Sequence, residues 1–444
     1  MELTAVDAWV MVCGALVLLM TPGVAFFYSG MTRAKASLNM MMMVFLAIGI
    51  TAVVWVLWGY SESAGSSWGQ VVGNPFDFFG LSTLLDDKES SMISVGFGAT
   101  FAIITVALIA GAVADRFKFA AWVVFVPVWV TLVYCPLAFM VWGGGLLSDE
   151  GWFGSTFGTV IDYAGGTVVH INAGVAALIL ALLVGKRVGF GKDSSQRPHN
   201  LSMVLLGASL LWFGWFGFNG GAATDSTEAG LIWVNTLVCP AMAMVAWILV
   251  EWFRDGKPTS LGAASGVVAG LVAITPACAN VSVIGAIIIG ILAGVGSAYA
   301  VGLKFKLGYD DSLDVVGVHL VSGIIGTVAL GFFALPADDV TAGGLFYGGG
   351  IAQLIAQVMA AVFSIVFTAV MTLIIAWVIK KTIGLRVSEK AEVEGIDLHE
   401  HAETAYEFGG VGTGAAIGGG LPRAAVVSQT FAEYEAQRVA QADK

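Results

Sequence analysis

The sequence predicts an all-α polytopic membrane protein of eleven transmembrane helices, built as two inverted five-helix repeats plus a long final helix. Three observations predict it. Only 11% of the 444 residues are charged and 58% are hydrophobic, whereas soluble domains carry about a quarter charged residues. Runs free of Asp, Glu, Lys and Arg recur at the length of about 20 residues that one helical span requires. Two histidines, His170 and His319, stand five spans apart in loosely matching sequence, GTVVHINAGVAALIL and DVVGVHLVSGIIGTVAL. Outer-membrane barrels show short alternating segments instead, so the expected architecture is a helical bundle.

Each span follows from its own run. Residues 6–31 lack a basic n-region and an A-x-A-like cleavage site, so they read as a first span and not a signal peptide. Span 37–60 follows Arg33 and Lys35, and Arg116 with Lys118 separates 91–114 from 119–142. Span 163–185 opens after Asp162 and closes at Lys186 and Arg187; 200–221 follows Lys192 and Arg197. Span 229–251 lies between Glu228 and Arg254. The uncharged run Pro258–Leu303 holds two spans, 260–278 and 281–302, with Pro276 and Asn280 marking the turn. Spans 315–336 and 347–380 complete the set. The expected organisation is a transmembrane unit over 1–381 and a cytoplasmic tail over 382–444.

Eleven spans put the termini on opposite faces. The basic residues fall in alternate loops and, of twenty Lys and Arg, only Lys88 lies on the other side. The positive-inside rule therefore predicts an external N-terminus and a cytoplasmic tail in a cell inner or plasma membrane. The opposite loops are acidic or neutral, which fits ordinary charge bias and also weak enrichment of a cationic substrate; the net charge of −11 does not separate the two. Cys13, Cys135, Cys239 and Cys278 lie in or at the ends of spans without metal-ligand spacing, as small core hydrophobes do. Most of the 58 glycines are expected to serve close helix packing.

Only two of the five histidines lie in spans. A charged imidazolium is disfavoured in a low-dielectric bundle, so both rings are expected neutral near pH 7. Three explanations compete: satisfied structural histidines, axial haem ligands, and a substrate pathway. The matching repeat positions favour the pathway. Asp162 precedes His170 by eight residues, about 12 Å along a helix, near the outer end of the span. It serves either to contact a cation or to cap the helix, and an Asp before an apolar run favours the cap. Aromatics crowd the same region, Trp142 before GGG and WFGFNGG at 215–221. Such faces bind small cations, although interfacial aromatic belts are common to membrane proteins.

Several blocks, in order, resemble the Amt/Mep/Rh ammonium transporter family, in its bacterial or archaeal Amt branch. They are TPGVAFFYSGMTRAK, ITVALIAGAVADR, AFMVWGGGLL, DYAGGTVVHINAG, WFGFNGG, DVVGVHLVSGIIGT and the tail block GLRVSEKAEVEGIDLHEHAETAY. The resemblance implies a transporter, not an enzyme, assembled as a homotrimer with one pore per subunit and no cofactor. It implies that Trp142 lines an outer recruitment site with Phe97, Phe101 and Trp215 near it, that Asp162 supports that site, and that Phe101 and Phe218 form a stacked gate. His170 and His319 would be the twin histidines of the pore. One departure stands out: Ala222 occupies a position where the family often carries a serine that accepts a hydrogen bond from the cation.

The resemblance further implies ammonium as substrate, with methylammonium as a candidate analogue, and a PII-type nitrogen sensor as a partner of the tail. No nucleic-acid partner is expected. Residues 409–420 read as a flexible linker, and 422–442 show helical periodicity without an assigned role. An ammonium sensor signalling through the tail, a haem-carrying redox protein and an Rh-type gas channel are the alternatives; Trp142 favours the ammonium branch over the last.

Overall fold

The computed structural model describes residues 3–85, 91–192, 196–337 and 342–406. Lys88 and the linker and helical expectations beyond residue 406 lie outside them. Among the described residues ten helices are long and apolar enough to cross a membrane, and a shorter apolar helix, Ser260–Ile274, stands where the eighth span is expected. In chain order they are α1 (Ala5–Met31), α2 (Ala34–Ala64), α3 (Met92–Val113), α4 (Phe119–Trp142), α5 (Gly166–Val184) and α6 (Leu201–Gly220). The second half holds α7 (Ser226–Asp255), α8 (Ser260–Ile274), α9 (Val283–Leu307), α10 (Val316–Phe333) and the long α11 (Ala352–Thr382). The expected eleven-helix fold is therefore present. Its eighth helix is short because the chain leaves the helix at Thr275 and turns through Pro276 before α9.

Lipid supplies no hydrophobic drive between helices, so packing and interhelical hydrogen bonds hold the bundle. The most extensive contacts join α1 to α6, and α7 to α9 and α8. Where α10 crosses α8 the backbones nearly touch: a Cβ at Gly326 would fall 2.0 Å from Ala273 O, a separation only glycine permits. Buried hydroxyl and amide pairs join other helices. Asn172 of α5 accepts from Thr368 of α11 at 2.8 Å, Ser297 of α9 and Ser322 of α10 meet at 2.7 Å, and Trp129 of α4 donates to Thr372 of α11 at 3.0 Å. Helix α11 thus bonds to α4 and α5 of the first half, and it also packs on α10 of the second.

On the face that carries the tail, charge is buried and paired. The Arg116 side chain is fully buried and donates to Gly185 O, Ala114 O, Ala112 O, Asp310 O and Ser312 Oγ. It bolts the ends of α3 and α5 to the segment before α10. Burial pushes this guanidinium down to about 10, so it stays charged at neutral pH. Arg187 forms a forked contact with Asp310, at 2.8 Å in its shorter arm.

The tail folds back on the same face through two short helices, α12 (Glu389–Glu394) and α13 (Ile396–His401). The helical start of α2 at Ser37 and that of α4 at Phe119 have no side-chain cap from their own N-cap residues. The tail provides both. Asp397 accepts from Leu38 N at 3.0 Å and Asn39 N at 2.7 Å, and Glu400 accepts from Phe119 N at 2.9 Å. Two helix starts with unpaired N–H groups are thereby satisfied from more than 280 positions away in sequence. Replacing Asp397 by Ala is expected to cost about 1 kcal/mol, measured as a lower unfolding temperature of the detergent-solubilised protein.

Candidate functional site

The site begins with a break in a helix. Residues 158–165 cross the bundle edge without regular structure, and α5 starts only at Gly166. Asp162 therefore precedes the helix and does not lie along it, which corrects the span start at 163. Its carboxylate turns onto the unpaired amides: it accepts from Gly165 N at 3.0 Å, Thr167 N at 2.9 Å, Val168 N at 3.2 Å, Gly166 N and the Thr167 hydroxyl. Asp162 is 6% exposed and buried among these donors, so it is a cap and its charge is spent on the backbone. The turn into the helix needs Gly165, whose φ of 114° disfavours any side chain.

The second half repeats the device. Asp311 precedes His319 by eight residues, as Asp162 precedes His170, and accepts from Val315 N at 3.1 Å and Val316 N at 2.7 Å. Burial pushes Asp311 up to about 6. Lys304 donates to Asp311 O at 2.9 Å and to Asp314 at 2.6 Å beside it. Both histidines then fall in wide π-type turns, Gly166–Ile171 and Val316–Leu320. Such turns insert an extra residue and re-aim the side chains.

The result is a column of rings. Trp142 is 42% exposed at the end of α4, and its indole N–H is held by Asp162 O at 2.8 Å. Phe101 meets Trp142 edge-on at 6.2 Å and Phe97 at 4.9 Å. Phe101 and Phe218 lie stacked, 4.3 Å apart and 20° from parallel, and both are buried. Beyond them His170 and His319 meet edge to edge, their planes 20° apart and their centroids 5.5 Å apart, with Nδ1 facing Nδ1 at 3.3 Å. A neutral imidazole carries one proton, so one ring donates across this contact and exposes a bare Nε2, while the other accepts and exposes Nε2–H. The narrow cavity beside the rings is otherwise lined by Met20, Val24, Phe27, Ile104, Leu108, Val268 and other apolar groups.

Trp215 differs from expectation. It is buried below the phenylalanine pair, stacked on His170 at 5.4 Å and 17°, away from the exposed Trp142, and Thr275 Oγ1 holds its indole N–H at 2.8 Å. Its place is with the histidines. Ala222 is exposed and offers only a methyl group, next to Gly221, which packs against the Phe97 ring. Sequence reading missed Thr275, Tyr28 and Asp311. Tyr28 lines the cavity and donates to Leu108 O at 3.0 Å. Asp311 alone left a sequence signal, the repeated eight-residue spacing to a histidine.

Among the described residues no group of three or more His, Cys, Asp or Glu could hold a metal ion. The two imidazoles meet edge to edge with their Nδ1 atoms 3.3 Å apart, which leaves no room for a macrocycle and its iron between them and removes the axial haem arrangement.

Fold and site together define a multi-pass membrane protein with a column of rings between two similar halves. A family model described as "Ammonium Transporter Family" matches residues 8–406. An ammonium transporter of Mycobacterium tuberculosis (strain ATCC 25618 / H37Rv) is 50% identical over 430 residues, covering 90% of each chain. The crystal structure of Candida albicans Mep2 superposes with a TM-score of 0.79 at 33% identity, over 87% of this chain and 86% of that one. A structure titled "Sensor Amt Protein" gives 0.82 at 27% identity, over 89% and 98%. This chain belongs to the ammonium transporter family, a family of transporters and not of enzymes.

Asp162→Ala leaves four buried amides unpaired, each worth about 1–3 kcal/mol. The variant is expected to lose transport and thermal stability together, and Asp162→Asn, which keeps one acceptor, to fall between it and the parent in unfolding temperature.

Proposed function

We propose that this chain carries ammonium into the cell by binding the cation at Trp142, stripping its proton and passing ammonia along the histidine pair. The single observation that supports this most is the unbroken ring column, Trp142 to Phe101 to Phe218 to His170 to His319, with water-accessible surface only at its Trp142 end.

The chemistry follows the column. An exposed indole face attracts a small cation through its quadrupole, and Phe97 and Phe101 add edges and faces beside it. Ala222 supplies no hydroxyl here, so water and backbone carbonyls complete the cation's shell. Below this point the stacked Phe101 and Phe218 bar a hydrated ion, and a bare ion would lose its solvation with no charge to replace it. Ammonia, once deprotonated, is small and neutral. It both donates and accepts hydrogen bonds, which matches the unlike Nε2 atoms of the two rings. Potassium has no proton to give up, and it is rejected without a size filter.

In the cell the Trp142 end faces outward with the N-terminus, and residues 382–444 form a cytoplasmic tail behind a transmembrane unit of residues 1–381. The chain acts as a homotrimer in nitrogen metabolism, and the tail meets a PII-type signalling protein. A sensor role is the second reading, favoured by the likeness to the structure titled "Sensor Amt Protein". Uptake decides between them: a pure sensor carries no flux.

Uptake of methylammonium by transporter-deficient cells or proteoliposomes is the test. Trp142→Leu is expected to raise the half-saturating concentration about two- to fivefold, the worth of a partly exposed cation–π contact; an unchanged value argues against Trp142 as the binding face. His170→Ala and His319→Ala are expected to alter flux or selectivity, and parental behaviour in the double variant defeats the assignment.

A further inference from the structure

The irregular segment 158–165 carries backbone polar groups into a region where water is scarce, and each must find a partner. One long-range partner lies on α11. Gln357 is fully buried, and its side-chain amide pairs with both backbone groups of Ile161. Ile161 N donates to Oε1 at 2.9 Å, and Nε2 donates to Ile161 O at 2.7 Å. The second Nε2 hydrogen reaches Thr327 O of α10 at 3.2 Å. These partners dictate the amide's orientation, since Ile161 N can only donate and Ile161 O can only accept. One turn away, Gln353 donates to Thr159 O at 2.9 Å and lies 3.4 Å from Gln357 Oε1.

The next residue after Ile161 is Asp162, whose carbonyl holds the Trp142 indole at 2.8 Å. The chain of contacts therefore runs from α11, through one peptide unit, to the ring at the exposed end of the column. Through Thr327 it also reaches the helix that carries His319, eight residues away.

We propose that Gln357 is a positioning residue for the cation site: by clamping Ile161 it fixes Asp162 O, and thereby the place and tilt of the Trp142 indole. The proposal rests on Trp142 being the cation-binding face. Gln357 contacts Ile161 and not the Trp142 ring, and it acts only through Trp142. Its loss weakens recruitment and leaves passage along the histidines intact.

The test is the concentration dependence of methylammonium uptake in proteoliposomes, at matched protein content, for Trp142→Leu, Gln357→Met and the double variant. Gln357→Met keeps the volume and removes every polar contact. Its half-saturating concentration is expected to rise about two- to fivefold, no more than that of Trp142→Leu, with a maximal rate within about twofold of the parent. The double variant is expected to be no weaker than Trp142→Leu alone, because both changes act on one ring. An unchanged half-saturation, a fall in maximal rate alone, or additive effects in the double variant overturn the proposal. If Trp142→Leu shifts uptake and Gln357→Met does not, only the link through Gln357 fails; if Trp142→Leu itself leaves uptake unshifted, the reading of Trp142 fails with it. Should Gln357→Met not assemble, Gln357→Glu carries the same comparison. It keeps the acceptor for Ile161 N and, when ionised, lacks the donor to Ile161 O.

Discussion

The site hangs from one buried carboxylate. Asp162 gathers the free amides at the start of α5, and in doing so allows a helix to begin inside the bundle and not at its edge. An interrupted helix at that depth has no solvent to pair its first N–H groups, and a carboxylate with several donors is the strongest available substitute. Its carbonyl holds Trp142 on one side, while the helix it starts aims His170 on the other. Asp311 plays the same part for the helix that carries His319. Two capped, broken helices thus meet with their histidines edge to edge, and this pairing of like halves makes the column.

The column separates two kinds of stabilisation. Its exposed end is built from ring faces, which favour positive charge. Its interior has stacked rings, aliphatic walls and two imidazoles, and no carboxylate among the described residues lines the cavity beside them. Asp162 lies close but its oxygens are committed to amides. On the proposed reading a cation is attracted to the mouth and refused by the interior, and only a species that sheds charge can use both. The same division explains the tail face, where every strongly buried charge described above is paired: Arg116 with carbonyls and Ser312, Arg187 with Asp310, Asp397 with two amides.

Much of this was legible in the sequence because membrane segments declare themselves by what they omit. Runs without charge located the spans, and the five-span interval between His170 and His319 pointed to paired halves before any geometry was available. The capping role of Asp162 was legible from an acid placed before an apolar run. Other features needed the third dimension. Trp215 stands three residues before Phe218 on α6, which says they share a face but not that the indole descends to stack on His170. Arg116 reads as a loop charge and proves fully buried, because its partners come from α3, α5 and the loop before α10. The tail carboxylates reach helix starts hundreds of residues away, and no local pattern encodes that. Gln353 and Gln357 did leave a trace, two amides one helical turn apart in an otherwise apolar run.

The central claim is that ammonium gives up its charge before it crosses. The most direct measurement is uptake of rubidium, a potassium analogue, into proteoliposomes that accumulate methylammonium under the same driving force. The account predicts no rubidium entry above that of protein-free vesicles. Rubidium entry at a rate comparable to methylammonium would show that an intact cation travels the column, and would contradict it.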